Sequence, residues 1–185
     1  PNADGAAVMA ETLKEVITTP TAATFSLELP KNNVKIENFH GYKVASYKLD
    51  GLSIKIAIPK RVANGQPWIW RARFWDGNPQ FDLAMLERGW YVCYCNVAGL
   101  LGAPSAVELW NKFHAYITDN GLSPHPVLEG HSRGGLIIHN WAAANPNKVG
   151  GIYGDNQVMD FKSWPGTKNK KWGALLKHYG FANDQ

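Results

Sequence analysis

Gly130-His131-Ser132-Arg133-Gly134 is the stretch of this 185-residue chain best equipped for chemistry. It fits G-x-S-x-G, in which a serine sits on a strained turn between a strand and a helix and presents its hydroxyl as a nucleophile. Glycines are needed at 130 and 134 because a Cβ there would collide where strand and helix pass closely, and Gly135 extends that clearance. Composition alone yields about 0.07 such pentapeptides in a chain with 18 glycines, so the flanks must carry the weight. Before the motif, Pro126-Val127-Leu128-Glu129 is a short apolar run suited to a buried strand. After it, Gly135 to Ala144 is apolar and Ala-rich, and Asn145-Pro146 stops a helix. The competing reading is a Gly-rich strand-to-helix turn with an idle serine. A helix N-terminus beneath Ser132 would favour developing negative charge.

The elements that must position this turn can be read along the chain. Leu52, Ile54, Ile56 and Ile58 recur at period two and mark a strand with one apolar face. Tyr42 to Leu49 is its partner across Asp50-Gly51, two residues that tolerate positive φ and suit a hairpin turn. Trp68 to Trp75 reads as a third strand. Pro79 to Arg88 reads as a helix capped by Gly89. Trp90 to Asn96 is a fourth strand. Ser105 is the expected N-cap of a helix from Ala106 to Thr118, with Glu108 completing a capping box. Val127 to Glu129 and Val149 to Gly154 are the fifth and sixth strands, and Trp172 to Tyr179 is a last helix. The expected class is α/β: a mostly parallel twisted sheet with helices on both faces and an N-terminal antiparallel hairpin. Residues 1–24, with a short helix between Met9 and Ile17, are expected to form a peripheral arm. Residues 25–185 are expected to form one domain.

Bulk properties narrow the function. With 45% hydrophobic and 18% charged residues the chain is globular. No apolar run approaches the ~20 residues of a spanning helix, so no membrane partner is expected. Net charge is +4. The densest basic spot, Lys168-Asn169-Lys170-Lys171, lacks any nucleic-acid recognition motif and reads as a solvated loop, so no nucleic-acid partner is expected. Cys93 and Cys95, at i and i+2 on a strand, are poor disulfide partners and lack a second ligand pair at zinc spacing. They read as buried thiols. No metal or other cofactor is expected. The chain opens at Pro1 without Met or a signal-like segment, which suits a removed leader or a trimmed sequence. Cysteine usage does not fix the compartment, and a secreted or periplasmic one is favoured over the cytoplasm.

Arg71 and Arg73, at alternate strand positions, are expected to share one face. They either hold a carboxylate or sugar hydroxyl near the site or pair with Asp76, Asp82 or Glu87. Trp68, Trp70, Trp75, Trp90 and Trp110 could stack on sugar rings, although aromatics at strand spacing are more often core.

Hairpin, alternating units and G-x-S-x-G together resemble the α/β-hydrolase family over residues 42–163. Pro67 to Trp164 also looks like a little-characterised bacterial branch, with an aromatic third strand and Gly-His-Ser-Arg-Gly-Gly at the elbow, some of whose relatives accompany carbohydrate-active enzymes. The resemblance implies Ser132 as nucleophile. It implies an oxyanion hole built from the Arg133 N–H and an N–H just after the third strand, at Ala72, Arg73 or Phe74, with Arg73 taken as the candidate. The His-Gly-Gly of many lipases is absent there. Family chain order is Ser, then Asp or Glu, then His, and 53 residues follow Ser132. On that order Asp155 fits the acid best, with Asp160 second. His178 is the candidate base, because it is the only later histidine outside the elbow helix, although it falls within a predicted helix itself. His131 adjoins the serine but is expected to point elsewhere, and His139 lies about 10 Å along the helix. His114 is on a helix. His40 and His125 precede strands, at the wrong end of the sheet.

No seventh or eighth strand can be found after Gly154. The chain is therefore expected to be incomplete at its C-terminus, with the exposed sheet edge covered by a missing segment or a second copy. The expected function is a serine hydrolase cleaving small-molecule or carbohydrate carboxylic esters, the carbohydrate case being removal of acyl groups. The alternative is a catalytically inactive hydrolase-like binding domain or fragment.

Overall fold

A computed structural model describes residues 27–30 and 32–181. The arm expected over 1–24 lies outside the described residues. In chain order the elements are β1 (Lys35–Phe39), β2 (Tyr42–Leu49), β3 (Leu52–Ile58), β4 (Trp68–Arg71), α1 (Gln80–Glu87), β5 (Tyr91–Cys95), α2 (Pro104–Asp119), β6 (Val127–His131), α3 (Gly135–Ala144), β7 (Gly151–Asp155) and α4 (Trp172–Tyr179). They form one seven-stranded sheet in the order β1-β2-β3-β5-β4-β6-β7. The helix-linked strands β4 to β7 run parallel to one another. The segment β1-β2-β3 is antiparallel and joins β5 antiparallel. The expected hairpin is there: Leu49 pairs Leu52, and Asp50 and Gly51 turn at φ 49° and 82°.

Two layers of side chains enclose this sheet. Alternation along β4 sends Trp68 and Trp70 to one face and Ile69 and Arg71 to the other. Trp70 stacks on Trp110 of α2 at 4.0 Å and meets Trp141 of α3 edge-on at 5.0 Å. Ile69 packs with Val92, Ala57 and Leu86 of α1 on the opposite face. Helices therefore cover both faces. Trp68, Trp70 and Trp110 are fully buried and Trp90 nearly so, which makes them core rather than a platform for sugar rings.

Three local expectations are corrected. First, β4 ends at Arg71, not Trp75, because Phe74, Asp76 and Asn78 take φ of 54°, 64° and 53°, which no strand accommodates. Arg71 and Arg73 consequently do not share a strand face. Second, α2 begins at Pro104 with Ala103 as N-cap, and Ser105 makes no capping bond. Proline at the first helical position lacks the N–H that a cap would satisfy and presets φ for the helix. Third, β6 runs two residues beyond Glu129, directly into the serine turn. Edge strand β7 leaves Ile152 and Tyr153 45% and 39% exposed. Cys93 and Cys95 are buried free thiols, as read from the sequence.

Candidate active site

Ser132 follows β6 directly and adopts φ 50°, in the left-handed region. An L-residue pays about 1–2 kcal/mol for that conformation, so the surroundings must enforce it. A short 3-10 turn over Ser132–Gly134 then runs into α3. The glycines are required by close approach. A Cβ on Gly130 would run into the Ile138 side chain, and one on Gly134 would lie 3.3 Å from Ala72 Cβ. At Gly135 it would strike the Val158 carbonyl and come within 2.7 Å of Gln157 Cβ. Val158 N–H donates to the Ser132 carbonyl at 2.8 Å, which pins the far side of the turn.

The oxyanion candidates separate on hydrogen bonding. Ala72 N–H donates to the Glu129 carbonyl at 3.0 Å and is committed to extending the β4–β6 ladder. Arg73 N lies 3.8 Å from the place a Gly134 Cβ would occupy, and therefore close beside the elbow. Arg133 N–H belongs to the first turn, where a helix leaves its N–H groups without intrahelical acceptors. The crevice between these segments, lined by Ala72, Arg73, Ala98, Leu101, Arg133 and Gly134, has a volume of about 10 Å³. That is room for one water.

Above the turn lies an aromatic and cationic cluster. The Arg133 guanidinium sits over Phe74 at 5.4 Å and over Trp164 at 5.0 Å, and Lys171 reaches Trp164 from 5.7 Å. Arg73 lies over Phe74 at 4.9 Å and donates to the Ala98 carbonyl at 3.0 Å. Burial, and then the Arg133 charge, hold the Arg73 guanidinium below its usual pKa. Phe74 and Trp164 were not singled out as aromatics in the sequence. Nothing in their spacing distinguishes them from core residues, and only the return of two distant loops brings them to Arg133.

Asp155 ends β7 and pairs with His131 across the β6–β7 ladder. Its Oδ2 lies 2.9 Å from His131 Nδ1. The acid expected from chain order is thus joined to His131 and not to His178. His178 sits in the last turn of α4, and no described hydrogen bond links it to Ser132 or Asp155. His139 meets the Gln157 amide at 3.1 Å. His114 faces the Pro124 carbonyl at 2.9 Å, and burial lowers its pKa. His40, in the β1–β2 turn, meets Asp76 at 2.7 Å. Asp160 closes a local turn, accepting from Lys162 N–H at 2.8 Å. Among the described residues, no hydrogen bond brings an imidazole to the Ser132 hydroxyl.

No protein-family model and no curated protein matches the sequence. Solved structures do match. A cold-adapted esterase from an Arctic intertidal metagenomic library superposes with a TM-score of 0.54 at 13% identity, over 77% of this chain and 68% of that one. Its polyethylene glycol-bound form gives 0.53 at 12% identity, over 78% and 70%. A bacterial membrane phospholipase A gives 0.49 at 21% identity, and this chain spans 40% of its length. Other similar structures are esterases, lipases and epoxide hydrolases. The fold is that of the α/β-hydrolases.

Proposed function

We propose that this chain carries the nucleophile and oxyanion donors of a serine hydrolase that cleaves carboxylic esters. The observation that carries the reading is Ser132 at φ 50° between β6 and α3, with Gly130, Gly134 and Gly135 in close approach to Ile138, Ala72 and Val158. The Ser132 hydroxyl would attack the ester carbonyl. The N–H groups of Arg133 and Arg73 would receive the charge that develops on its oxygen, each such donor being worth about 10²–10³ in rate. A histidine would take the serine proton and return it to the leaving alcohol. Acyl groups on carbohydrate are the proposed substrate class, with Phe74 and Trp164 beside Arg133 as the aromatic surface. The exposed β7 edge is proposed to be covered by further polypeptide or a second copy.

A fluorophosphonate probe tests the nucleophile in the intact protein. Labelling is expected at Ser132 and should vanish in Ser132→Ala, and labelling retained in that variant would sink the reading. Steady-state hydrolysis of p-nitrophenyl acetate locates the base. Alanine is placed in turn at His131, His139 and His178, and a loss of about 10⁴-fold in kcat identifies the residue. No large loss at any of them would exclude all three as the base. The absence of an imidazole at the described hydroxyl favours one other reading, a hydrolase-like domain that only binds. Sugar binding unaffected by Ser132→Ala, with no turnover of p-nitrophenyl acetate, would select it.

A further inference from the structure

The mechanism above leaves a cluster of three buried charged side chains unused. Arg71 is 1% exposed, Asp82 0% and Glu129 3%. They come from three elements: the last residue of β4, the first turn of α1, and β6 three residues before Ser132. Arg71 Nη1 donates to Glu129 Oε1 at 2.8 Å and also to Asp82 Oδ2. Its other donors turn toward the loop that follows β4. Nε and Nη2 reach the Phe74 carbonyl at 3.1 and 2.9 Å, and Nη2 also reaches the Gly77 carbonyl.

That loop is the one that offers the Arg73 N–H to the elbow. Phe74, Asp76 and Asn78 all have positive φ, and a non-glycine backbone holds such a run only where its surroundings over-determine it. Glu129 grips the same loop twice, through its backbone carbonyl to Ala72 N–H and through its side chain to Arg71.

We infer that Arg71, Asp82 and Glu129 form a buried clamp that sets the height of the 72–78 loop against the serine turn, making all three positioning residues for the oxyanion donor at Arg73. The inference rests on the ester-hydrolase reading for its catalytic consequence, and on the hydrogen bonds alone for the clamp.

The charge balance supports a permanent structure. One guanidinium donates to two buried carboxyls, at Asp82 Oδ2 and Glu129 Oε1. Asp82 Oδ1 and Glu129 Oε2 are buried and have no hydrogen-bond partner among the described residues. Burial and then the Asp82 carboxyl push Glu129 up to about 9, and burial likewise raises Asp82. Asp155 and Asp76 add smaller pushes in the same direction. Both shifts favour the neutral carboxyl and so lessen the negative charge buried beside the single guanidinium.

The test uses Arg71→Lys in the intact protein, with Asp82→Asn as the milder variant should the first fail to fold. Lysine keeps the charge but loses the planar fork that holds two carbonyls and two carboxyls together. Amide hydrogen exchange reads the clamp directly. Faster exchange over 72–79 is expected, with β5 unchanged, and unaltered exchange there would overturn the clamp whether or not the protein is an esterase. Kinetics per fluorophosphonate-titrated site read the consequence. The expectation is a fall in kcat of about 100-fold for Arg71→Lys and about 5-fold for Asp82→Asn, with KM within about threefold, because an oxyanion contact forms only in the transition state. A looser loop with unchanged kcat would overturn the positioning role. A wild-type protein with no Ser132-dependent turnover would defeat the esterase reading, and the positioning role with it, while the exchange result still decides the clamp.

Discussion

Ser132 and Asp155 stand at the ends of neighbouring parallel strands, yet the two ends are held very differently. The β6 end lies between buried partners: Ile138 fills the space beside Gly130, Ala72 closes on Gly134, and Glu129 beneath is tied to Arg71. The β7 end lies on the sheet edge. Asp155 has a side chain 46% exposed, Ile152 and Tyr153 beside it are exposed, and its hydrogen-bonded partner is His131. Central strands can store backbone strain because close packing on both faces over-determines each residue. An edge strand, hydrogen-bonded on one side only, is held by fewer contacts than a central one.

Substituting glycines breaks this contrast most strongly. Gly130→Ala is expected to destabilise by roughly 1–3 kcal/mol through overpacking. Gly151→Ala on β7, whose Cβ would meet only Val127 Cγ2 at 3.5 Å, should be neutral or slightly stabilising. Urea unfolding of the two variants measures the difference, and equal midpoints would mean the elbow is no tighter than the edge.

Titration gives the next largest effect. Glu129 is raised to about 9 from an ordinary value near 4.5. Its neutral form is the one the fold favours, so its contribution is full below pH ~4.5 and is lost as pH climbs toward ~9. The melting temperature of the wild type should therefore fall from pH 5 to pH 9, and the fall should be shallower in Glu129→Gln, which cannot ionise. Parallel profiles would mean that Glu129 is ionised in the fold.

Asp155→Asn should be the mildest change. Its carboxylate is half exposed and serves His131, so the expected loss in kcat/KM is about tenfold or less. A loss of about 10³-fold would show that the edge positions the general base, and the contrast between the two strand ends would then have to be redrawn.

Much of this molecule is legible in its sequence. The serine turn, the Asp50-Gly51 hairpin and the alternation of strands with helices are local patterns, set by which residues tolerate positive φ and by hydrophobic periodicity. Helix α4 matches its expected range. Other features were not legible. Trp68 to Trp75 has the composition of one strand, but the Arg71 side chain takes carbonyls of its own downstream loop and ends the strand at residue 71. Ser105 has capping-box spacing, but Pro104 before it starts the helix first.

Short-range chemistry written in neighbouring residues settled where the serine turn would stand and what class of sheet would hold it. Long-range pairing settled the rest: Asp155 with His131 rather than His178, Arg71 with Asp82 and Glu129, Arg133 between Phe74 and Trp164. A turn is chosen by the φ and ψ preferences of a few adjacent residues. The partner of a buried charge is chosen by which distant carboxyl the packed fold carries to it, and no local pattern encodes that distance.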